Sequence, residues 1–489
     1  MRKPHINRRV VQMADSVTPV FFKPSDGWAG DFIPFHRDGE FHLFYLKDFR
    51  DVGAKGPGTP WFHLGTRDLV AFTDYGEALA RGGGQDQDMY VYTGSVIEAA
   101  GLFHIYYTGH NPLFATAGRP QEAVMHATSS DLVRWTKDPS NPILFADRER
   151  YEPDDWRDPF VFWNPEAGEF WMLLAARLRL GPHNRRGCVA LAASTNLSRW
   201  EIRDPFWAPS LYYTHECPDL FQLGDWWYLV FSEFSDRTLT RYRMSRNISG
   251  PWTAPANDSF DGRAFYAAKT ATDGTRRLAF GWMPTRSGDE DKGNWQWGGH
   301  LVVHELVQHS DGSLSVGVPA EVGGQFAAPV ALTPEPQSGR WELGVEAVAG
   351  HAPDQFAWCR LGLLPATCCF ETTITYSAGT RGCGVILRSD DRLDSYYQVR
   401  IEPGLDRLVF DRYPRPGDQP FMIERPLTLR PSEPIQVRIL MEESAIVVSV
   451  NNQLALSARG YDHPAGACGV FVSEGNASFS NSRLTGRLK

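Results

Sequence analysis

One short segment recurs along the first two-thirds of the chain, and no other feature constrains the fold as much. TRDLVAF at 66–72, SSDLVRW at 129–135 and STNLSRW at 194–200 are followed by a weaker RNISGPW at 246–252. Their central residues Leu69, Leu132, Leu197 and Ile248 are spaced 63, 65 and 51 positions apart. A second motif, a turn followed by an aromatic-rich run, is interleaved with the first. It reads GEFHLFYL at 39–46, GLFHIYYTG at 101–109, GEFWMLLAAR at 168–177, GDWWYLVFSE at 224–233 and, more loosely, TRRLAFGW at 275–282. The runs are short, β-branched or aromatic, and bounded by Gly, Asp, Asn or Pro, as strands are. Long apolar stripes at helical spacing are absent. A period near 60 built from short strands points to a propeller. Five copies over residues 1–325 leave room for four strands in each blade. The expected fold is all-β: a five-bladed β-propeller followed by a β-sandwich.

The second part rests on a change of texture. Residues 326–350 are rich in Pro, Ala and Gly and read as a linker. Residues 351–489 read as the sandwich, because runs such as CFETTITYS, SYYQVRIEP and AIVVSVNNQLALSA alternate apolar and polar residues between turns. No catalytic constellation stands out there.

The chemistry sits in the propeller. Just before each hairpin lies an expected innermost strand, and five such strands converge on one channel. These segments are GDFIPF with Asp31, YVYTGSVIE with Tyr92, Thr93 and Ser95, WRDPFVFW with Arg157 and Asp158, HECPDLFQL with Glu216 and Asp219, and FYAAKTAT with Tyr266 and Lys269. Asp31, Asp158 and Glu216 thus begin three inner strands although they are far apart in sequence. Two carboxylates facing one cleft meet the needs of glycoside hydrolysis, one as nucleophile or base and one as proton donor. Burial and mutual repulsion separate their pKa values. Arg157, Ser95 and Tyr92 are candidates for contact with the acids or the substrate. Trp28, Trp282 and Trp297 are candidate stacking faces for a sugar, in a chain that is 13% aromatic.

Several features point away from other chemistries. The net charge is −9 without a basic cluster, which argues against nucleic acid as partner. No apolar run is long enough to span a membrane. Seven cysteines without a CxxC pair read as reduced thiols, and the basic start at residues 1–16 lacks an apolar signal core, so a cytoplasmic location is expected. His300 and His304 fall in a strand-like run where a helical metal pair does not apply, so no metal and no cofactor are expected. Cys217 reads as a buried thiol behind Glu216, Asp219 as a strand anchor, and the acidic tract DEDKG at 289–293 as a mobile loop.

Taken in order, YTGS at 92–95, RDP at 157–159, ECPD at 216–219, FYAAKT at 265–270, GWMP at 281–284 and WQWGGHLVVHELVQ at 295–308 resemble glycoside hydrolase family 32, the invertase, inulinase and levanase group. The resemblance runs over about 300 residues and implies a retaining mechanism through a covalent glycosyl-enzyme. It implies Asp31 as nucleophile, Asp158 as transition-state stabiliser and Glu216 as general acid and base. The sequence departs from the family at its first motif. Where the family reads Asn-Asp-Pro-Asn-Gly, this chain reads Gly30-Asp31-Phe32-Ile33-Pro34, and a later Phe-Tyr-Gln reads Phe44-Tyr45-Leu46. The aspartate is kept and the neighbouring amides are lost. The expected activity is therefore cleavage of a furanoside, first a β-fructofuranoside. A fructosyltransferase, a glycosidase for another furanoside such as an arabinofuranoside, and a non-catalytic carbohydrate-binding propeller are the alternatives.

Overall fold

A computed structural model describes residues 19–417 and 422–487; the basic start at residues 1–16 lies outside them. The five expected blades are present. Blade one comprises Trp28–Arg37, Glu40–Asp48, Trp61–Thr66 and Thr73–Leu79; the next two span residues 90–137 and 151–202 with four strands each. Blade four has Glu216–Leu223, Trp226–Glu233 and Leu239–Ser245, with isolated bridges in place of a fourth strand. Blade five has Tyr266–Thr272, Arg277–Arg286, Trp295–Gln308 and Leu314–Gly317. Blades one and five join in one sheet where Ala29 pairs with Gly299.

The recurrent leucine motif has a local cause. It closes the turn after the third strand of a blade. Leu69, Leu132 and Leu197 all take left-handed backbone with φ of 59°, 63° and 64°. Asp68, Asp131 and Asn196 side chains accept from the amides two and three residues on, at 2.8–3.1 Å. This is an Asx turn, and it tolerates the strained residue because the side-chain cap holds it. Each leucine, together with Ile248, is then buried between blades.

The C-terminal sandwich is larger than expected at its front end. Residues 326–350, expected to be a linker, carry Ala328–Val330, Glu335–Ser338 and Arg340–Leu343, and they lead into the long strand Ala347–Leu363. All of these pair within the C-terminal sheet, the first with Leu484–Gly486. Pro329 and Pro336 occupy short strands, where a missing N–H donor is tolerated. Composition alone therefore mistook edge strands for a linker.

One outer face of the sandwich packs on the propeller. Cys369, Leu440, Ala445, Val447 and Ala455 share an apolar cluster with blade residues such as Phe280 and Leu306. Buried polar contacts fix this interface. Asp261 accepts from His304 Nε2 at 2.8 Å and from the Ser457 amide and hydroxyl at 2.7 Å each. The fully buried Arg459 guanidinium donates to the carbonyls of Pro284 and Met283 and meets His300 Nδ1. Both histidines thus serve the interface, and no metal-ligand cluster occurs among the described residues. The DEDKG tract is no mobile loop. Asp291 is buried, accepts from Tyr397 O–H at 2.6 Å and the Tyr461 amide at 2.8 Å, and pairs with Arg412. An uncompensated charge cannot be left in such a place, so the acid is paired from the sandwich.

Asp291→Ala removes the acceptor for these donors and is expected to cost about 3 kcal/mol of stability. Urea unfolding of the full chain measures this. A midpoint unchanged from wild type would show that the contact does not hold the two units together.

Candidate active site

Each inner strand carries a β-bulge at an equivalent position. Pairing shifts between Gly30 and Ile33, Tyr92 and Gly94, Glu216 and Asp219, and Tyr266 and Lys269; in blade three the shift lies opposite Leu173 and Ala175. An extra residue re-aims the side chains around it. Asp31, Asp158, Cys217 and Ala267 take left-handed backbone there, with φ of 48°, 59°, 52° and 50°. The bulges turn Asp31, Asp158 and Glu216 into one pocket of about 470 Å³. The three expected acids therefore meet.

Neighbouring blades hold each acid. Asp31 Oδ2 accepts from Thr93 Oγ1 at 2.6 Å, and its Oδ1 from Trp282 Nε1 at 2.9 Å. Asp158 Oδ2 accepts from the Cys217 amide at 2.8 Å, and its own amide donates to Thr108 Oγ1 at 2.8 Å. Glu216 Oε1 accepts from Arg157 Nη2 at 3.1 Å, and Oε2 from Tyr266 O–H at 2.6 Å. Arg157 also pairs with Asp155 and Glu122, so one guanidinium orients three carboxylates.

Burial and repulsion act strongly on the two aspartates. Burial, followed by the charges of Asp158 and Glu216, pushes Asp31 up to about 7 against the opposing Thr93 and Trp282 hydrogen bonds. Burial, with Glu216 adding, pushes Asp158 to about 6 against the pull of Arg157. Asp31 and Asp158 thus retain a proton above the ordinary carboxylate range, and their titration is shared.

The other expected site residues fall in different places. Arg157, Tyr92 and Trp297 line the pocket. Tyr92 stacks on His110 with ring centroids 4.6 Å apart. Trp282 is buried and serves as a hydrogen-bond donor to Asp31 instead of a stacking face. Trp28 lies behind the rim, its ring taken by the Arg50 and Lys23 cations at 4.6 and 4.8 Å. Ser95 does not reach the pocket: it is buried and accepts from the Val161 amide at 2.9 Å, tying blade two to blade three. The bulge at Thr93 changes the alternation, so Ser95 faces the neighbouring blade. Asp219 anchors blade five by accepting from the Thr270 amide at 2.6 Å, Lys269 donates to the Pro218 carbonyl, and Cys217 is a buried thiol.

Sequence reasoning missed Arg50 as a site group. Alignment of the repeats put Thr93 and Tyr266 on inner strands, where they sit at or beside the bulge, but did not mark them as site candidates. Arg50 had no such signal. It has left-handed backbone and lines the pocket, and its guanidinium donates to Thr285 Oγ1, Gln296 Oε1 and the Trp297 carbonyl. That grip fixes the wall where Trp297 packs against Gly30. A Cβ at Gly30 would come within 2.5 Å of the indole, so only glycine fits beside Asp31.

The raised proton affinity of Asp31 has a consequence for stability. Its folded value lies above its unfolded value, so its contribution is fully present below about pH 4 and is lost as pH rises through about 7. Asp31→Asn is therefore expected to stabilise the fold by roughly 2–4 kcal/mol at pH 8 and by less than half of that at pH 5. Thermal melts at the two pH values read this. Equal shifts at both would contradict the electrostatic cause.

Residues 21–315 match the family model "Glycosyl hydrolases family 32 N-terminal domain". Among curated relatives, the "Levanbiose-producing levanase" of Bacillus subtilis is 29% identical over 274 residues, covering 53% of this chain and 47% of the levanase. The "Sucrose-6-phosphate hydrolase" of Zymomonas mobilis is 30% identical over 317 residues, covering 60% and 59%. The chain thus spans about half to three-fifths of these relatives' lengths. The fold as a whole is that of an exo-inulinase from Aspergillus awamori, with a TM-score of 0.73 at 17% identity over 96% of this chain and 98% of that one. With its bulged acidic inner strands and a family match across more than half its length, the chain belongs to glycosyl hydrolase family 32.

Proposed function

We propose that this protein is a retaining glycoside hydrolase that cleaves a β-fructofuranoside. The supporting observation is the convergence of Asp31, Asp158 and Glu216 on one pocket, each held by donors from other blades. Asp31 is the nucleophile in this reading. Fixed neutral donors grip both of its oxygens, which aims the carboxylate and stabilises its charged form. Glu216 is the general acid and then the base. Its side chain is 20% exposed, on the longer tether, where a departing group can be reached from solvent. Asp158 accepts sugar hydroxyls and favours the oxocarbenium-like transition state.

Protons must be redistributed for this to work, because burial favours a proton on the aspartates. Sugar hydroxyls that donate to Asp158 and Asp31 stabilise their charged forms, and the shared proton moves to Glu216. Glu216 then protonates the leaving oxygen as Asp31 Oδ forms the bond to the anomeric carbon. Water, deprotonated by Glu216, breaks that bond and restores both acids. Seven buried free thiols suit a reducing compartment, and we place the protein in the cytoplasm.

A second reading, another furanoside, is favoured by one observation. The pocket lining contains no Asn or Gln side chain, and includes Leu46, Phe49, Val52 and Trp297. Product release from sucrose, inulin, levan and aryl arabinofuranosides separates the two. Fructose release by wild type supports the first, and release of another sugar with fructosides inert supports the second.

The roles are tested by variants. Glu216→Gln is expected to lose at least about a hundredfold on sucrose while largely keeping turnover of an aryl fructoside with a good leaving group. Asp31→Asn is expected to abolish both, and an activated 2-fluoro sugar is expected to label Asp31 in the wild type. A label on Glu216 would reverse the assignment. Because the productive free enzyme carries one shared proton in the pocket, kcat/KM is expected to show an acidic limb near about pH 6 and an alkaline limb near about pH 7. A limb near pH 4 would contradict it.

A further inference from the structure

The free outer face of the sandwich is built in a way that packing does not require. Along Tyr396–Glu402, residues Tyr397, Val399 and Ile401 enter the sandwich core, and Tyr396, Gln398, Arg400 and Glu402 face outward. The opposite sheet turns its outer face to the propeller, so this face is turned away from it. Such a face should be polar in alternation. Instead Trp358, Ile386 and Phe471 form a separate apolar cluster, with Phe356, Leu393 and Tyr396 packed against it. Phe356 stacks on the buried Phe471 at 5.4 Å and 17°, and Tyr396 stacks on its cross-strand partner Tyr413 at 4.9 Å and 19°.

Between these two aromatic pairs lies a groove of about 340 Å³, with Gly382 leaving part of its lining without a side chain. Planar polar groups line it and are held in place. Arg400 donates to Gln398 Oε1 and to Glu402 Oε1 at 2.7 Å each, and pairs with Asp411 at 3.4 Å. Half-buried ring faces beside immobilised amide, guanidinium and carboxylate groups suit a ligand with apolar C–H faces and hydroxyl edges. Each charge of the strip is paired, Arg400 with Glu402 and Asp411, Arg415 with Asp411 and Arg381 with Glu474, which suits a neutral ligand. Little ordering entropy remains to be lost on binding.

We propose that this groove is a second, non-catalytic site for a fructan chain. The identity of the sugar rests on the fructoside reading of the propeller pocket; the site itself rests on the groove. Two sites on one rigid molecule raise the local concentration of polymer at the pocket without a new contact there.

The test uses the full chain. In the Glu216→Gln background, retention on immobilised levan and inulin is compared with and without Phe356→Ser plus Tyr413→Ser. Gln398→Ala, which leaves the apolar cluster intact, is the second variant, and thermal melts establish folding. In active enzyme the same substitutions are expected to raise KM for the polymer about tenfold while leaving kcat/KM for sucrose unchanged. Reduced retention in folded variants is the expected result. Unchanged retention and unchanged polymer KM would overturn the proposal, as would equal retention on xylan. Failure of the fructoside reading would be seen separately, as no fructose release by wild type.

Discussion

Everything at the centre of this molecule depends on keeping several carboxylates close together away from bulk water. Asp31, Asp158 and Glu216 repel one another, and burial disfavours the charge of each aspartate further. The fold answers with a ring of contacts between blades. Blades two and five hold Asp31, blade four and the Thr108 hydroxyl of blade two hold Asp158, and blades three and five hold Glu216. No blade completes its own acid. The site exists only when the ring is closed, which the Ala29–Gly299 pairing does together with the Leu301 amide donating to the Phe22 carbonyl at 2.8 Å.

The bulge is the local device that makes the ring possible. A regular strand alternates its side chains between two faces, and in a propeller both faces are covered by neighbouring blades. An extra residue in left-handed backbone turns a side chain along the strand direction and into the channel instead. Such backbone costs of order 1 kcal/mol or more at each non-glycine position. It persists because the hydrogen bonds that aim the acids also fix the backbone, as the Cys217 amide does for Asp158. Strain, charge repulsion and function therefore share the same few residues. The sandwich contributes by locking blade five through Asp261, Asp291 and Arg459, the blade that supplies Trp282 and Tyr266.

Blade number and the three acids were legible in the sequence because both follow from a repeat. An Asx turn with a left-handed leucine and a hairpin glycine need particular residue types, so they recur visibly. Side-chain direction near the bulges was not legible. Regular alternation would put Ser95 on the same face as Thr93, toward Asp31, and the extra residue between Tyr92 and Gly94 turns it to the other face, into blade three. The three tryptophans divided for a related reason. Their composition suggests stacking, yet only Trp297 lines the pocket, while Trp282 is needed for its N–H and Trp28 is covered by cations. Residues 326–350 misled because Pro and Gly mark edge strands as well as linkers.

The departure at the first motif is best understood from the wall that replaced it. Gly30 admits the Trp297 indole at a distance no other residue would allow, and Leu46 and Phe49 line the pocket beside it. Arg50 holds this wall through Thr285, Gln296 and the Trp297 carbonyl, so it cannot swing aside without breaking several hydrogen bonds at once. Asp48 and Arg50 are the polar groups of this stretch; a sugar hydroxyl directed instead at Leu46, Phe49 or the Trp297 ring would lose water and gain no partner, which costs about 1–3 kcal/mol. A C–H face would gain from the same contact. On the proposed function, discrimination between sugars in this pocket arises at the apolar wall, while the carboxylates supply chemistry common to any furanoside. On that reading the bond to be broken is set by Asp31 and Glu216, and the ring that is allowed to present it is set by Gly30, Leu46 and Trp297.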